Sequence, residues 1–294
     1  MASWIQDDLL RDVRAESRAA ADLVRLPFRS AVWRGTFGNW AGAGIGSSID
    51  FQDHRPYLPG DDPRYINWQA YARTGNYSMK LYREEVNPRV DIVLDVSASM
   101  FFVPDKRRLS LGLFYFALES SMRNGSAIHC HVVDREGDCP VEIEAALRGD
   151  IPEPRPAPVT TLVDSLAAVP FQPASLRVLL SDLLFPGSPE DVLRRWAAGR
   201  SRSVILCPFV VEESEPPWTG NMELVECETR RKRLEQCDAP TMQRYGSAYR
   251  RHFDMWRGQA RRHGIPVARI AGGTALHGAL LREALPEGAV EPWV

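Results

Sequence analysis

The stretch Val90-Asp91-Ile92-Val93-Leu94-Asp95-Val96-Ser97-Ala98-Ser99-Met100 decides the fold. A short, almost continuous apolar run that ends in a polar cluster is the pattern of a strand buried on both faces of a parallel sheet. The pattern recurs at Leu176–Leu180, which runs into Ser181-Asp182, and in weaker form at 127–134, 203–211 and 265–270. Helical segments alternate with these runs. One spans about 106–123 and is closed by Asn124-Gly125. Others cover 161–169, 240–263 and 275–285, and a fourth opens at Ser188-Pro189-Glu190-Asp191 with an N-cap, a first-turn proline and acids. Pro140–Ile143 is expected to pair with 127–134, and Met222–Glu228 reads as half of a small hairpin. Strand and helix in alternation predict an α/β domain over residues 89–294. Its sheet is doubly wound and mostly parallel, flanked by helices on both faces, with ligand chemistry beyond the carboxyl ends of the strands.

Residues 1–88 form a separate stretch: an N-terminal helix and an irregular, partly β extension packed on the main domain. Ile5, Leu9, Leu10, Val13, Ala20, Leu23 and Leu26 fall on one helical face, so the helix is expected over 5–28. The glycine-rich stretch 35–48 follows no apolar strand and opens no helix, so it reads as a flexible connection rather than a phosphate loop. Asp62 and Pro63 start a short helix reaching about Arg73, Trp68 and Tyr71 are expected in the core, and 78–84 alternates as a strand.

The chain has 294 residues, 36 Lys and Arg against 38 Asp and Glu, and five cysteines without regular spacing. This balance points away from a bulk nucleic-acid binder, and the cysteines point away from a secreted disulfide scaffold. No apolar run reaches the roughly 20 residues of a membrane helix, and the first residues are acidic rather than signal-like. A cytoplasmic protein is the expectation.

Asp95-x-Ser97-x-Ser99 at a strand end offers one carboxylate and two hydroxyls to a common point. A threonine from the loop at Thr160-Thr161 and the carboxylate of Asp182 complete an oxygen-only shell, the set preferred by Mg²⁺ or Mn²⁺. The bland alternative is a strand-to-helix turn capped by Ser99. These residues resemble the metal-ion-dependent adhesion site, or MIDAS, of von Willebrand factor A domains. That resemblance implies Asp95, Ser97, Ser99, Thr161 (or Thr160) and Asp182 as ligands. It also implies a protein partner that presents an Asp or Glu. Many members of that family have Gly after the last Asp, where this sequence has Leu183.

Upstream, Arg55-Pro-Tyr57-x-Pro59-Gly60-Asp61-Asp62-Pro63-Arg64-x-Ile66-Asn67-Trp68, then Ala72-Arg73 and Lys80-x-Tyr82, is similar to the bacterial domain-of-unknown-function-58 family. Glu226-x-Glu228-Thr229 before a long helix fits as well. The resemblance implies a von Willebrand A-like protein working with a MoxR-type AAA+ ATPase or its client. Read physically, Asp61 and Asp62 with Arg55, Arg64 and Arg73 form a structural clamp, with a partner-binding surface as the alternative.

The remaining candidates are weaker. His129-Cys130-His131 lacks the companion ligands of a zinc site. No Gly-x-Ser-x-Gly is present, and Ser97 stands where aspartate phosphotransferases carry a second acid. Arg230–Arg233, Arg250-Arg251 and Arg261-Arg262 read as solvated faces. The expectation is therefore a non-enzymatic, metal-dependent adaptor, against a metal-dependent hydrolase or a structural domain with a vestigial site.

Overall fold

The computed structural model describes residues 4–28, 37–45, 51–59, 62–134, 137–154 and 162–293. The strands in chain order are β1 (Val24–Arg25), β2 (Phe37–Ile45), β3 (Phe51–Pro56), β4 (Ser78–Val86), β5 (Arg89–Asp95), β6 (Ala127–Val133) and β7 (Asp138–Val141). They continue with β8 (Leu176–Leu180), β9 (Arg202–Phe209), β10 (Gly220–Val225), β11 (Lys232–Cys237), β12 (Val267–Ala271) and β13 (Glu291–Pro292). The α-helices are α1 (Asp7–Ala21), α2 (Trp68–Thr74), α3 (Ala98–Phe101), α4 (Pro104–Arg123), α5 (Ile143–Leu147), α6 (Leu162–Ala168), α7 (Pro189–Trp196), α8 (Val211–Ser214), α9 (Ala239–Arg262) and α10 (Leu276–Ala279).

Six strands form one sheet in the order β7-β6-β5-β8-β9-β12. All neighbours run parallel except β7, which pairs antiparallel with β6. The chain starts at the centre with β5, adds β6 and β7 to one side, then returns to add β8, β9 and β12 to the other. The order therefore reverses between β5 and β8, and the crevice of such a sheet opens at their carboxyl ends.

Alternation along the strands builds two cores. Val90, Ile92 and Leu94 of β5 join Val178 and Leu180 of β8 against α1, α4 and α10, with Leu111, Phe114 and Leu118 of α4 fully buried. Val93, Leu179 and Ile205 face the other way, against Trp196 of α7 and Phe253 and Trp256 of α9. Helices thus cover both faces, as the apolar strands require. Helix α1 contributes Ile5, Val13 and Ala20 to the first core. The end of the chain returns to it: β1 pairs with β13, Arg25 bonds Glu291 at 2.8 Å, and the Trp293 indole donates to the Ala21 carbonyl.

Several local expectations change. The first helix stops at Ala21 rather than running to Phe28. Pro27 disfavours helix at Leu26, and β1 takes the buried Val24 as a strand. Part of the glycine-rich stretch is not a connection but strand β2, paired with β4 through register shifts that glycines permit. The helix expected from Pro63 is split. Asp62 caps a single 3-10 turn at Pro63–Tyr65, Ile66 bridges to Met79, and Asn67 caps α2 by accepting from Ala70 N–H.

Trp68 and Tyr71 do not enter the core. Trp68 is 57% exposed, Tyr71 is half-buried, and both pack edge or face against Tyr77. Among the described residues no second layer covers this seven-residue helix. Within the clamp, Asp62 pairs with Arg64 two residues away, and Arg55 donates to the Pro56 carbonyl. Asp61 lies outside the described residues.

Phe116, buried without exposure on α4, supports the first core. Phe116→Ala is expected to cost about 3–5 kcal/mol, read as a lower urea midpoint at unchanged slope.

Candidate active crevice at the ends of β5 and β8

Strand β5 delivers Asp95 to the crevice, and the chain turns at once into α3. The Asp95 carboxylate accepts from Ser97 N–H at 2.9 Å, which bends the loop, and from the Ser181 hydroxyl at 2.7 Å, which ties it to the end of β8. The Ser97 and Ser99 hydroxyl oxygens lie 3.1 Å apart. Asp182, the residue after Ser181, is buried like Asp95. One of its oxygens accepts from Leu184 N–H at 3.0 Å and the other from Lys106 Nζ at 2.8 Å. The Ser99 hydroxyl also favours the ionised Asp182 carboxylate. The structure therefore brings Asp95, Ser97, Ser99 and Asp182 together. Thr160 and Thr161 lie outside the described residues. No group of three or more His, Cys, Asp or Glu side chains among the described residues is arranged as a metal cluster. The constellation is two carboxylates with hydroxyls.

Two residues of this neighbourhood escaped the sequence reading. Lys106, in the first turn of α4, is fully buried and bridges Asp182 to Glu213, at 2.6 Å, on α8. A lysine there reads from sequence as a surface residue of a helix start. Its depth is apparent only once α4 is laid across the sheet. The second is Glu228, in the turn between β10 and β11. Its carboxylate accepts from Ser99 N–H at 2.9 Å and Ala98 N–H at 3.3 Å. The sequence reading placed Glu228 inside a strand, whereas β10 ends at Val225. The Glu226-x-Glu228 pattern was the available signal.

Burial and then the charge of Asp182 raise the Asp95 carboxyl to about 6. Burial would raise Asp182 too, but Lys106 outweighs it and holds that carboxyl below its ordinary value. Burial alone would lower Lys106, yet Asp182 and Glu213 raise it, so its ammonium stays charged. Leu183 follows Asp182 with φ 59°, the left-handed region that favours glycine. Its side chain is completely buried, and this burial offsets the strain.

The histidines of the His129-Cys130-His131 segment serve other ends. His131 bonds Asp138 at 2.9 Å, Cys130 is buried, and His129 sits 3.7 Å from Asp91. His252 bonds the Leu183 carbonyl at 2.8 Å.

With this geometry in hand, comparison with known proteins adds a family. A family model described as "Protein of unknown function DUF58" matches residues 53–139. Over these residues, less than a third of the chain, the sequence is similar to that family. The DUF58 segment holds Asp95, Ser97, Ser99 and Lys106, while Asp182, Glu213 and Glu228 lie beyond it. No curated protein matches the chain. Among solved structures, a "conserved hypothetical protein BatB from Bacteroides thetaiotaomicron" is similar at 12% identity over 68% of this chain and 98% of its own, with a TM-score of 0.37. A likeness that weak carries no argument. No helix among the described residues is long and apolar enough to cross a membrane.

Two outcomes are expected in metal-free, chelator-treated protein. Between about pH 4 and 6 the folded state keeps an Asp95 proton that the unfolded chain has lost, so stability falls as pH rises through that window. Asp95→Asn removes this fall and is more stable than wild type at pH 7, by on the order of 2–3 kcal/mol, with the two converging near pH 4 in chemical denaturation. Lys106→Met leaves Asp182 and Glu213 buried without their cation and is expected to cost roughly 3–5 kcal/mol by the same measurement.

Proposed function

We propose that this protein is a von Willebrand A-like, non-enzymatic adaptor whose crevice holds a divalent cation, Mg²⁺ or Mn²⁺, through which it grips a carboxylate of a partner protein. The observation that carries the reading is the pair of Ser97 and Ser99 oxygens, 3.1 Å apart at the switch point of the sheet. Two adjacent ligands of an octahedral ion, each at 2.0–2.1 Å, stand about 3 Å from one another.

The two hydroxyls hydrogen bond each other in this structure. A serine oxygen that donates its one hydrogen keeps lone pairs for an ion, so the pair suits a cation. Ser97, Ser99 and Asp95 would hold the ion. Asp182, already engaged by Lys106 and Leu184, would help balance the charge of the ion. Thr161, or Thr160, is the expected contribution of the loop before α6. The ion would supply an electrophilic position for an incoming carboxylate.

The family resemblance suggests that the partner is a MoxR-type AAA+ ATPase or its client. The hydrolase reading asks for a general base beside the ion. His252, on the helix against the Asp182 loop, and His131, on β6 beside β5, are engaged with a carbonyl and with Asp138, which favours binding over turnover.

Calorimetric titration with Mg²⁺ and with Mn²⁺, beside thermal melts, tests the proposal. Saturable binding with a raised melting temperature is expected for wild type and is lost in Asp95→Ala and in a Ser97→Ala/Ser99→Ala double variant that still melts cooperatively. A well-folded wild type that takes up neither ion overturns the cation reading.

A further inference from the structure

The β10–β11 hairpin stands apart from both cores. Among the described residues its strands pair only with each other, and most of its residues are exposed, Leu234 to 81%. A two-stranded ribbon of this kind is marginal by itself and takes its position from where it is anchored. One anchor is the buried Cys237 at the end of β11, next to the start of α9. The other, at the far end, is its turn. Glu226 N–H donates to the Arg231 carbonyl, Arg230 N–H donates to the Glu226 carbonyl, and Thr229 donates to the Glu226 carboxylate, so the turn is preformed. Arg230 adopts φ 59°, a conformation costly for a side-chain-bearing residue. This shape leaves Glu228 9% exposed and directs both its oxygens to Ala98 and Ser99 N–H, some 130 residues away in sequence.

The loop that receives Glu228 is the one that carries Ser97 and Ser99. The contact therefore couples an otherwise loosely held ribbon to the mouth of the crevice. We propose that the hairpin is a lid, latched by Glu228, that covers the cation loop and must be lifted by the acidic group of a partner before that group reaches the site. The latch is an observed contact, and what it covers rests on the cation reading above. The partner implied is an acidic segment, since it must replace a carboxylate with a carboxylate.

The protein carries its own reporter. Cys227 is half-buried beside Glu228, and burial, followed by the Glu228 charge, pushes its thiol up to about 11. Of the other cysteines, Cys130, Cys207 and Cys237 are buried and Cys139 is exposed. In a Cys139→Ser background, with chelator, alkylation of Cys227 by iodoacetamide reads whether the turn is docked. Losing two charge-assisted hydrogen bonds in Glu228→Ala should speed alkylation by about tenfold or more. Glu228→Gln, which keeps an acceptor, should fall between.

Because removing the Glu228 charge also eases thiol ionisation, deuterium exchange supplies the deciding readout. Uptake is expected to rise over 220–237 and at the Ala98 and Ser99 amides in Glu228→Ala, at an otherwise wild-type melt. Unchanged exchange there overturns the latch, whatever the alkylation rate. With Mn²⁺, loss of a negative charge alone would slow association, whereas loss of a lid speeds it. Faster Mn²⁺ association in Glu228→Ala is expected, and slower association overturns the lid. If the wild type takes up no Mn²⁺, the cation reading fails while the metal-free exchange still decides the latch.

Discussion

Two carboxylates buried at neighbouring strand ends are the constraint on which the rest of this crevice depends. Asp95 and Asp182 emerge from β5 and β8, adjacent strands joined by parallel pairing, so the topology fixes their proximity. Like charges removed from water cannot both remain uncompensated. Lys106 answers for Asp182 and is itself buried to do so. Among the described residues no cation pairs with Asp95, whose hydrogen bonds come from the neutral Ser97 N–H and Ser181 hydroxyl. Burial and the neighbouring Asp182 charge therefore raise the carboxyl to about 6. The proposed cation would take the place of that proton.

The arrangement separates two duties that a single cation would otherwise perform. Lys106 ties the loop carrying Asp182 to α8 through Glu213, so the fold does not wait for a metal to hold Asp182 in place. Under the proposed cation reading, Asp95 and the two serines are left for an ion that comes and goes. A site in which all the negative charge needed the ion would bind it more tightly and would fold with it. A site with one charge met internally can exchange its ion and still be a folded surface.

How much of this was legible follows from sequence distance. The strands were legible because an apolar run ending in polar residues has few other uses, and a sheet of this kind holds its site at the carboxyl ends, where Asp95 and Asp182 stand. The serine spacing was legible because it is local. Lys106 and Glu228 were not, since each acquires its role only through partners 76 and about 130 residues away. Trp68 failed for a related reason. An aromatic side chain favours burial, but burial needs a second layer, and the edge sheet under α2 supplies none. Pro27 was the opposite case, a local signal that outweighs the apolar face continuing to Leu26.

Leu183 shows how the local and distant constraints meet. The turn after Asp182 requires a left-handed residue so that Leu184 N–H can reach the Asp182 carboxylate. Glycine would adopt that backbone without strain but would leave a void in the core beneath α9. Leucine fills the core at the expense of the backbone, and His252 of α9 holds the strained carbonyl by a hydrogen bond at 2.8 Å. The loop carrying Asp182 is thus locked from three sides: Lys106 on its carboxylate, His252 on its backbone, and the core on its side chain. The loop carrying Ser97 and Ser99 is held at its start by Asp95, which accepts from Ser97 N–H, and at its end by the buried Met100, whose carbonyl accepts from the Ser110 hydroxyl. Glu228 adds a hold on the two amides between them. Of the elements around the crevice, the hairpin that brings Glu228 takes no part in either core, and the proposed movement belongs to it.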